Sequence, residues 1–117
     1  MESMAAYQKK ILELIEWKSA NTEIPLAVKE AVLHYKNELV MKVSDMQEPP
    51  FEVENDIELI SDSFKDSGHF EGDIARVLDF QYELDSIGNR MYDVRVQWRD
   101  SSEESWIAAE NFSLYSM

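Results

Sequence analysis

The side chains able to do chemistry in this 117-residue chain are above all carboxylates: 24 Asp and Glu against 11 Lys and Arg, with two histidines and no cysteine. Neighbouring acids such as Glu103-Glu104, or Asp62 with Asp66, have the types that general acid–base catalysis uses. At this acidity such pairs arise by composition alone, and they read as solvated surface. His34 falls on a helical stretch and His69 in a loop, with no HExxH-type spacing and no thiolate to complete a zinc set. His34 reads as a helix-surface residue. No serine lies in a G-x-S-x-G elbow, and three glycines build no phosphate-binding loop. The sequence therefore predicts no enzyme, no catalytic residue, no metal and no cofactor.

The elements that carry these residues are of two kinds. From Met4 to about Lys18 the apolar residues Met4, Tyr7, Ile11, Leu14 and Ile15 recur at three- and four-residue steps, which predicts an amphipathic helix. Ser19 to Glu23 supply turn and cap residues, and Pro25 suits the first turn of a second helix. That helix carries Val28, Val32, Tyr35, Leu39 and Met46 on one face, with Ala31 and Val43 beside them, and Pro49-Pro50 forbids continuation past Glu48. A short connection makes the two helices antiparallel neighbours. Their apolar face is expected to be buried on the strand half or in a homodimer formed through the hairpin.

After Pro50 the period changes to two. Strands are predicted at 57–60, 73–82, 91–98 and 105–109, with Gly88 and Asn89 able to take positive φ in the turn between the second and third. Tyr92, Val94, Val96 and Trp98 alternate cleanly against Asp93, Arg95 and Gln97, so one face of that strand is core. Four or five short antiparallel strands hide their edges best by closing into an SH3-like barrel. The expected class is α+β: a helical hairpin over residues 1–48 followed by a small antiparallel β-barrel over residues 51–117.

The net charge of −13 is uneven, with sixteen acids against five basic residues in 51–117. Such a segment repels nucleic acid unless its few arginines cluster, so no direct nucleic-acid binding is expected and a basic partner fits better. No apolar run approaches the roughly 20 residues a membrane span needs. No membrane association is expected, and the chain reads as nuclear or cytoplasmic.

The segment FEGDIARVLDFQYELDSIGNRMYDVRVQWRDSSEESWIAAENF, residues 70–112, resembles the Royal superfamily of chromatin modules: Tudor, chromo-barrel and SAWADEE domains. The matching parts are an aromatic-led strand from Phe70, the turn around Gly88-Asn89, Val94-Arg95-Val96-Gln97-Trp98 for a VRVxF strand, the acidic Glu103-Glu104 loop, and Trp106-Ile107 opening the last strand. The resemblance implies a non-enzymatic module that binds a basic histone-tail peptide, commonly through methyl-lysine held in an aromatic cage. It implies Phe70 and Trp98 as cage residues, with Tyr92 beside them and Asp100, Glu103 and Glu104 attracting the peptide. Trp106 corresponds to a core position. The pattern departs from the family in the wholly polar stretch 99–102 and in lacking the SAWADEE zinc ligands. Aligned on chromo-barrel spacing, the cage positions fall on Val96, Arg99 and Glu103. The alternative is a degenerate Tudor- or chromo-like barrel serving as a protein–protein scaffold or assembly subunit without methyl-lysine binding. Trp98 would then plug the barrel end.

Overall fold

The computed structural model describes residues 2–116 and has two helices followed by a five-stranded antiparallel sheet. Two compact units divide the chain: Met1–Glu48 with Leu84–Arg90, and Pro49–Glu83 with Met91–Met117.

In the first unit, α1 spans Met4–Ala20. Ser3 caps it in extended geometry, its Oγ accepting from the Ala6 N–H at 3.2 Å, one of the donors that have no partner within the helix. At the other end the Asn21 side-chain amide donates to the Trp17 carbonyl at 2.8 Å. The second helix, α2, spans Leu26–Asp45. Pro25 stands just before its first turn, accepting through its carbonyl from Val28 and Lys29. The helix stops three residues earlier than the Pro49-Pro50 limit allows, with the Met46 N–H bonded to the Ser44 and Val43 carbonyls.

The core of this unit is Ile11, Leu39 and Val43, with Met4, Tyr7, Leu14, Ile15, Val40 and Ile87 packed against it. Each fully buried aliphatic side chain contributes about 1.5–3 kcal/mol. Ile87 belongs to the turn at Leu84–Arg90, which is the third element of this core. Gln8 of α1 donates to Asn89 Oδ1 at 2.7 Å. Gln47 donates to the Gly88 carbonyl at 2.8 Å and accepts from the Arg90 N–H at 2.9 Å, while Arg90 Nε donates to the buried Ser44 Oγ at 3.0 Å. Gly88 takes φ +87°, as the turn requires; Asn89 does not take positive φ but fixes the turn through Asp85 instead. The expected apolar face of α2 is buried only toward its C-terminal end. Leu39 and Val43 are covered, whereas Val28, Tyr35 and Met46 are 43%, 46% and 40% exposed in the chain by itself.

In the second unit the strands are β1 Asp56–Leu59, β2 Ile74–Leu84, β3 Arg90–Trp98, β4 Glu104–Ala108 and β5 Phe112–Leu114, ordered β4-β3-β2-β1-β5 across the sheet. The ends of β2 and β3 nearest their connecting turn run into the first unit. The register sets Ile57 against Ala75 and Leu114, and Val94 against Ile107. With side chains alternating across each strand, this gathers Ile57, Leu59, Ala75, Val77, Val94, Val96, Trp98, Ile107 and Phe112 into one core, joined by Phe51 and Ala109.

Candidate functional site

Trp98 is the inward residue that ends β3, and it is 0% exposed. His69, from the loop between β1 and β2, stacks on its indole with ring centroids 3.9 Å apart and planes 9° apart. Phe112 packs at 5.9 Å, and the indole N–H donates to Ser105 Oγ at 3.2 Å. Both the rings and the polar atom of Trp98 are thus occupied from within the chain. His69 is itself buried, and its Nδ1 has no hydrogen-bond partner among the described residues.

Neither of the other two expected cage aromatics is in ring contact with Trp98 among the described residues, although Phe70 directly follows the stacked His69. Phe70 is 54% exposed at the head of a turn, where its N–H donates to Asp73 Oδ2 at 2.8 Å and its carbonyl accepts from the Asp73 N–H. Tyr92 is half-buried against Phe80 and Tyr82, with centroids 6.2 and 5.4 Å away. Tyr92 and Trp98 share a face of β3, but six steps of about 3.3 Å set them about 20 Å apart along the strand. Phe70, Tyr92 and Trp98 are therefore not brought together into one cage. Trp106, read as core from the sequence, is 47% exposed, because in β4 it is Ile107 that faces inward.

The acids expected around the site are exposed. Asp100, Glu103 and Glu104 surround the β3–β4 turn, which closes through Trp98 N–H to the Glu103 carbonyl and Ser102 N–H to the Trp98 carbonyl. Glu104 approaches Arg95 Nε at 3.8 Å. Asp62 is exposed and 3.8 Å from Lys65, and His34 lies on the surface of α2, 3.0 Å from Glu38. Among the described residues no group of three or more His, Asp or Glu could hold a metal ion, and no helix is long and apolar enough to cross a membrane.

Two features escape sequence reasoning. The first is an arginine pair: Asp56 lies 3.8 Å from Arg76 and 3.4 Å from Arg99, whose guanidinium stands over the Tyr115 ring at 5.5 Å. Asp56, Arg76 and Arg99, with Gln97 and Ser102, line a depression of about 220 Å³. The outward parity of Arg76 was readable, but only the β1–β2 register sets it opposite Asp56.

The second is a groove of about 470 Å³ within the first unit, walled by Leu14, Ile15 and Lys18 of α1 and by Val32, Leu33 and Lys36 of α2. No acidic residue lines it. A titration shift also belongs to this unit. Burial pushes the Asp85 carboxyl up, but the Asn89 amide and the backbone N–H groups of Asn89, Ile87 and Gly88 outweigh it and hold the group below its ordinary value. On α1, a hydrogen bond of 2.9 Å to Glu2 raises the Lys10 ammonium.

Comparison of the chain with protein-family models, with curated proteins and with solved structures finds no match in any of the three.

Proposed function

We propose that the chain is a non-enzymatic interaction module whose strand half captures a basic protein segment, of the lysine-rich histone-tail kind, by charge rather than through an aromatic cage. The observation that carries this reading is the second unit's fifteen acids against four basic residues, with Asp100, Glu103 and Glu104 standing in solvent around one turn. Carboxylates held this way act as an attractive field, felt within about 8 Å at physiological salt. The complete burial of Trp98 beneath His69 argues for recognition that does not depend on methylation. The strand order, in which β5 returns to pair with β1, supports an SH3-like barrel of the Royal type, whose closure would bring the two remaining edge strands, β4 and β5, toward each other. A histone-tail partner implies a nuclear protein associated with chromatin.

Calorimetric titration with unmodified and lysine-trimethylated histone-tail peptides at low and physiological salt tests this. Equal affinity for both peptides is expected, weakening with salt and weakened further in the Glu103→Lys, Glu104→Lys double variant. Affinity that depends on methylation would overturn the charge mechanism and return the cage to consideration.

A second reading, the scaffold or assembly subunit, is favoured by the exposed Val28, Tyr35 and Met46 on α2. It expects no binding to either peptide, together with a concentration-dependent sedimentation coefficient if the partner is a second copy.

A further inference from the structure

We infer that the groove between α1 and α2 is a docking site for an amphipathic acidic helix of a partner protein. This surface lies wholly in the first unit, and the inference does not depend on what the strand half binds.

The groove has the size of a ligand site and apolar walls. Its volume of about 470 Å³ falls within the range of roughly 300–1,000 Å³ typical of binding pockets. Leu14, Ile15 and Val32 are half-buried and Leu33 is 40% exposed, so aliphatic surface is left in water although the unit has a formed core in Ile11, Leu39 and Val43. A seam between two helices that presents side chains from both is the geometry into which a third helix lays residues spaced i, i+3, i+4 and i+7.

The charge on its rim selects the partner. Lys18 and Lys36 come from opposite walls, and among the described residues neither ammonium takes part in an ion pair or a side-chain hydrogen bond. Of the other lysines on these helices, Lys10 is engaged with Glu2, Lys29 with the Thr22 carbonyl and Lys42 over the Tyr7 ring, while Lys9 is also without a side-chain partner among the described residues but does not line the groove. Two free cations flanking an apolar seam with no acid in its lining complement a helix that carries Leu-type anchors on one face and carboxylates beside them. A basic amphipathic helix would set like charges against both lysines. The two lysines line the groove itself and act on a bound helix at contact.

The test uses the full chain and three fluorescein-labelled peptides, each about 14 residues long to allow two anchor repeats. One carries Leu at i, i+3, i+4 and i+7 with Glu elsewhere; the second has Lys in place of Glu; the third scrambles the first. Anisotropy titration is expected to show saturable binding of the first, with the other two at least about tenfold weaker. Leu33→Glu, and Lys18→Glu combined with Lys36→Glu, should each weaken the first peptide by about tenfold or more while leaving far-UV ellipticity and thermal melts unchanged. Should the doubly reversed variant fail to fold, Lys18→Gln with Lys36→Gln replaces it, with a smaller loss in the same direction. The inference is overturned if the parent binds none of the peptides, if the Lys or scrambled peptide binds as well as the first, or if the folded variants bind like the parent. It is equally overturned if sedimentation finds a dimer that Leu33→Glu dissociates, because a second copy then fills the groove.

Discussion

Replacing Gly88 by alanine tests the idea that the β2–β3 turn is a packed element of the helical unit rather than a free loop. A Cβ at this position would lie 2.8 Å from the Val40 carbonyl oxygen and 2.8 Å from Val43 Cβ. Carbon atoms in contact prefer about 3.5–4.0 Å, so the shortfall is near 1 Å. Neither obstacle is the tip of a flexible side chain, because both are fixed by the course of α2. Relief requires the turn to move away. Overpacking of this kind costs roughly 1–3 kcal/mol, and holding a non-glycine residue in left-handed geometry costs roughly 1–2 kcal/mol more. A displaced turn also weakens the 2.8 Å bond from Gln47 to the Gly88 carbonyl, about 1 kcal/mol. The expected loss is on the order of 3–6 kcal/mol, a large part of the 5–15 kcal/mol that stabilises a small domain. Gly68→Ala is the control: its φ is +86° but nothing lies within 4 Å of the added Cβ, so it should lose only the backbone strain, about 1–2 kcal/mol. Urea unfolding of both variants and the parent, followed by far-UV ellipticity, measures the difference; at a slope of about 1–3 kcal/mol per molar, the Gly88 midpoint falls by at least about 1 M. If the two variants unfold at the same urea concentration, the turn is not wedged against α2 and the reasoning fails.

Trp98→Ala should cost about 3–5 kcal/mol, as truncation of a fully buried aromatic does; Trp98→Phe should recover much of this but not the bond to Ser105, and thermal melts of the two variants would reveal any exposed role if neither moved. Leu39→Asp places an unpaired carboxylate in the helical core and should destabilise by several kcal/mol, so a melt identical to the parent's would show that the face is not buried. The Asp85 carboxyl is held below its ordinary value in the folded chain, so it contributes stability above the unfolded value near 3.9 that is lost as pH falls through the lower folded value. Asp85→Asn should therefore flatten the acid limb of a stability profile, and an unchanged profile would contradict the role given to its four donors. Gel-shift titration with single- and double-stranded DNA and RNA at physiological salt should find no binding, and micromolar affinity that falls steeply with salt would mean that Arg76 and Arg99 outweigh the acids around them.

The amino-acid sequence by itself determined where the elements lie and which way their faces point. Helical periodicity placed α1 and α2, and the switch to period two after Pro50 placed four strands to within two residues. The alternation of Val94, Val96 and Trp98 pointed Trp98 inward, as the structure has it. These are local signals, carried by residues within one or two turns or steps of one another. β5 escaped separate prediction because its three residues are too few to show a period. What tertiary structure decided is what covers each face. Val28, Val32, Tyr35, Leu39 and Met46 share one helical stripe, yet only Leu39 is buried together with Val43, because it is around these two that Ile11 of α1 and Ile87 of the turn close a core. Spacing along a chain tells an apolar face from a polar one but holds no information on which distant segment arrives there. The same reason hid the stacking of His69 on Trp98, the capture of the turn by Gln8 and Gln47, and the meeting of Arg76 and Arg99 at Asp56. Each joins residues far apart in sequence, set together by a register or a loop path that no local pattern encodes.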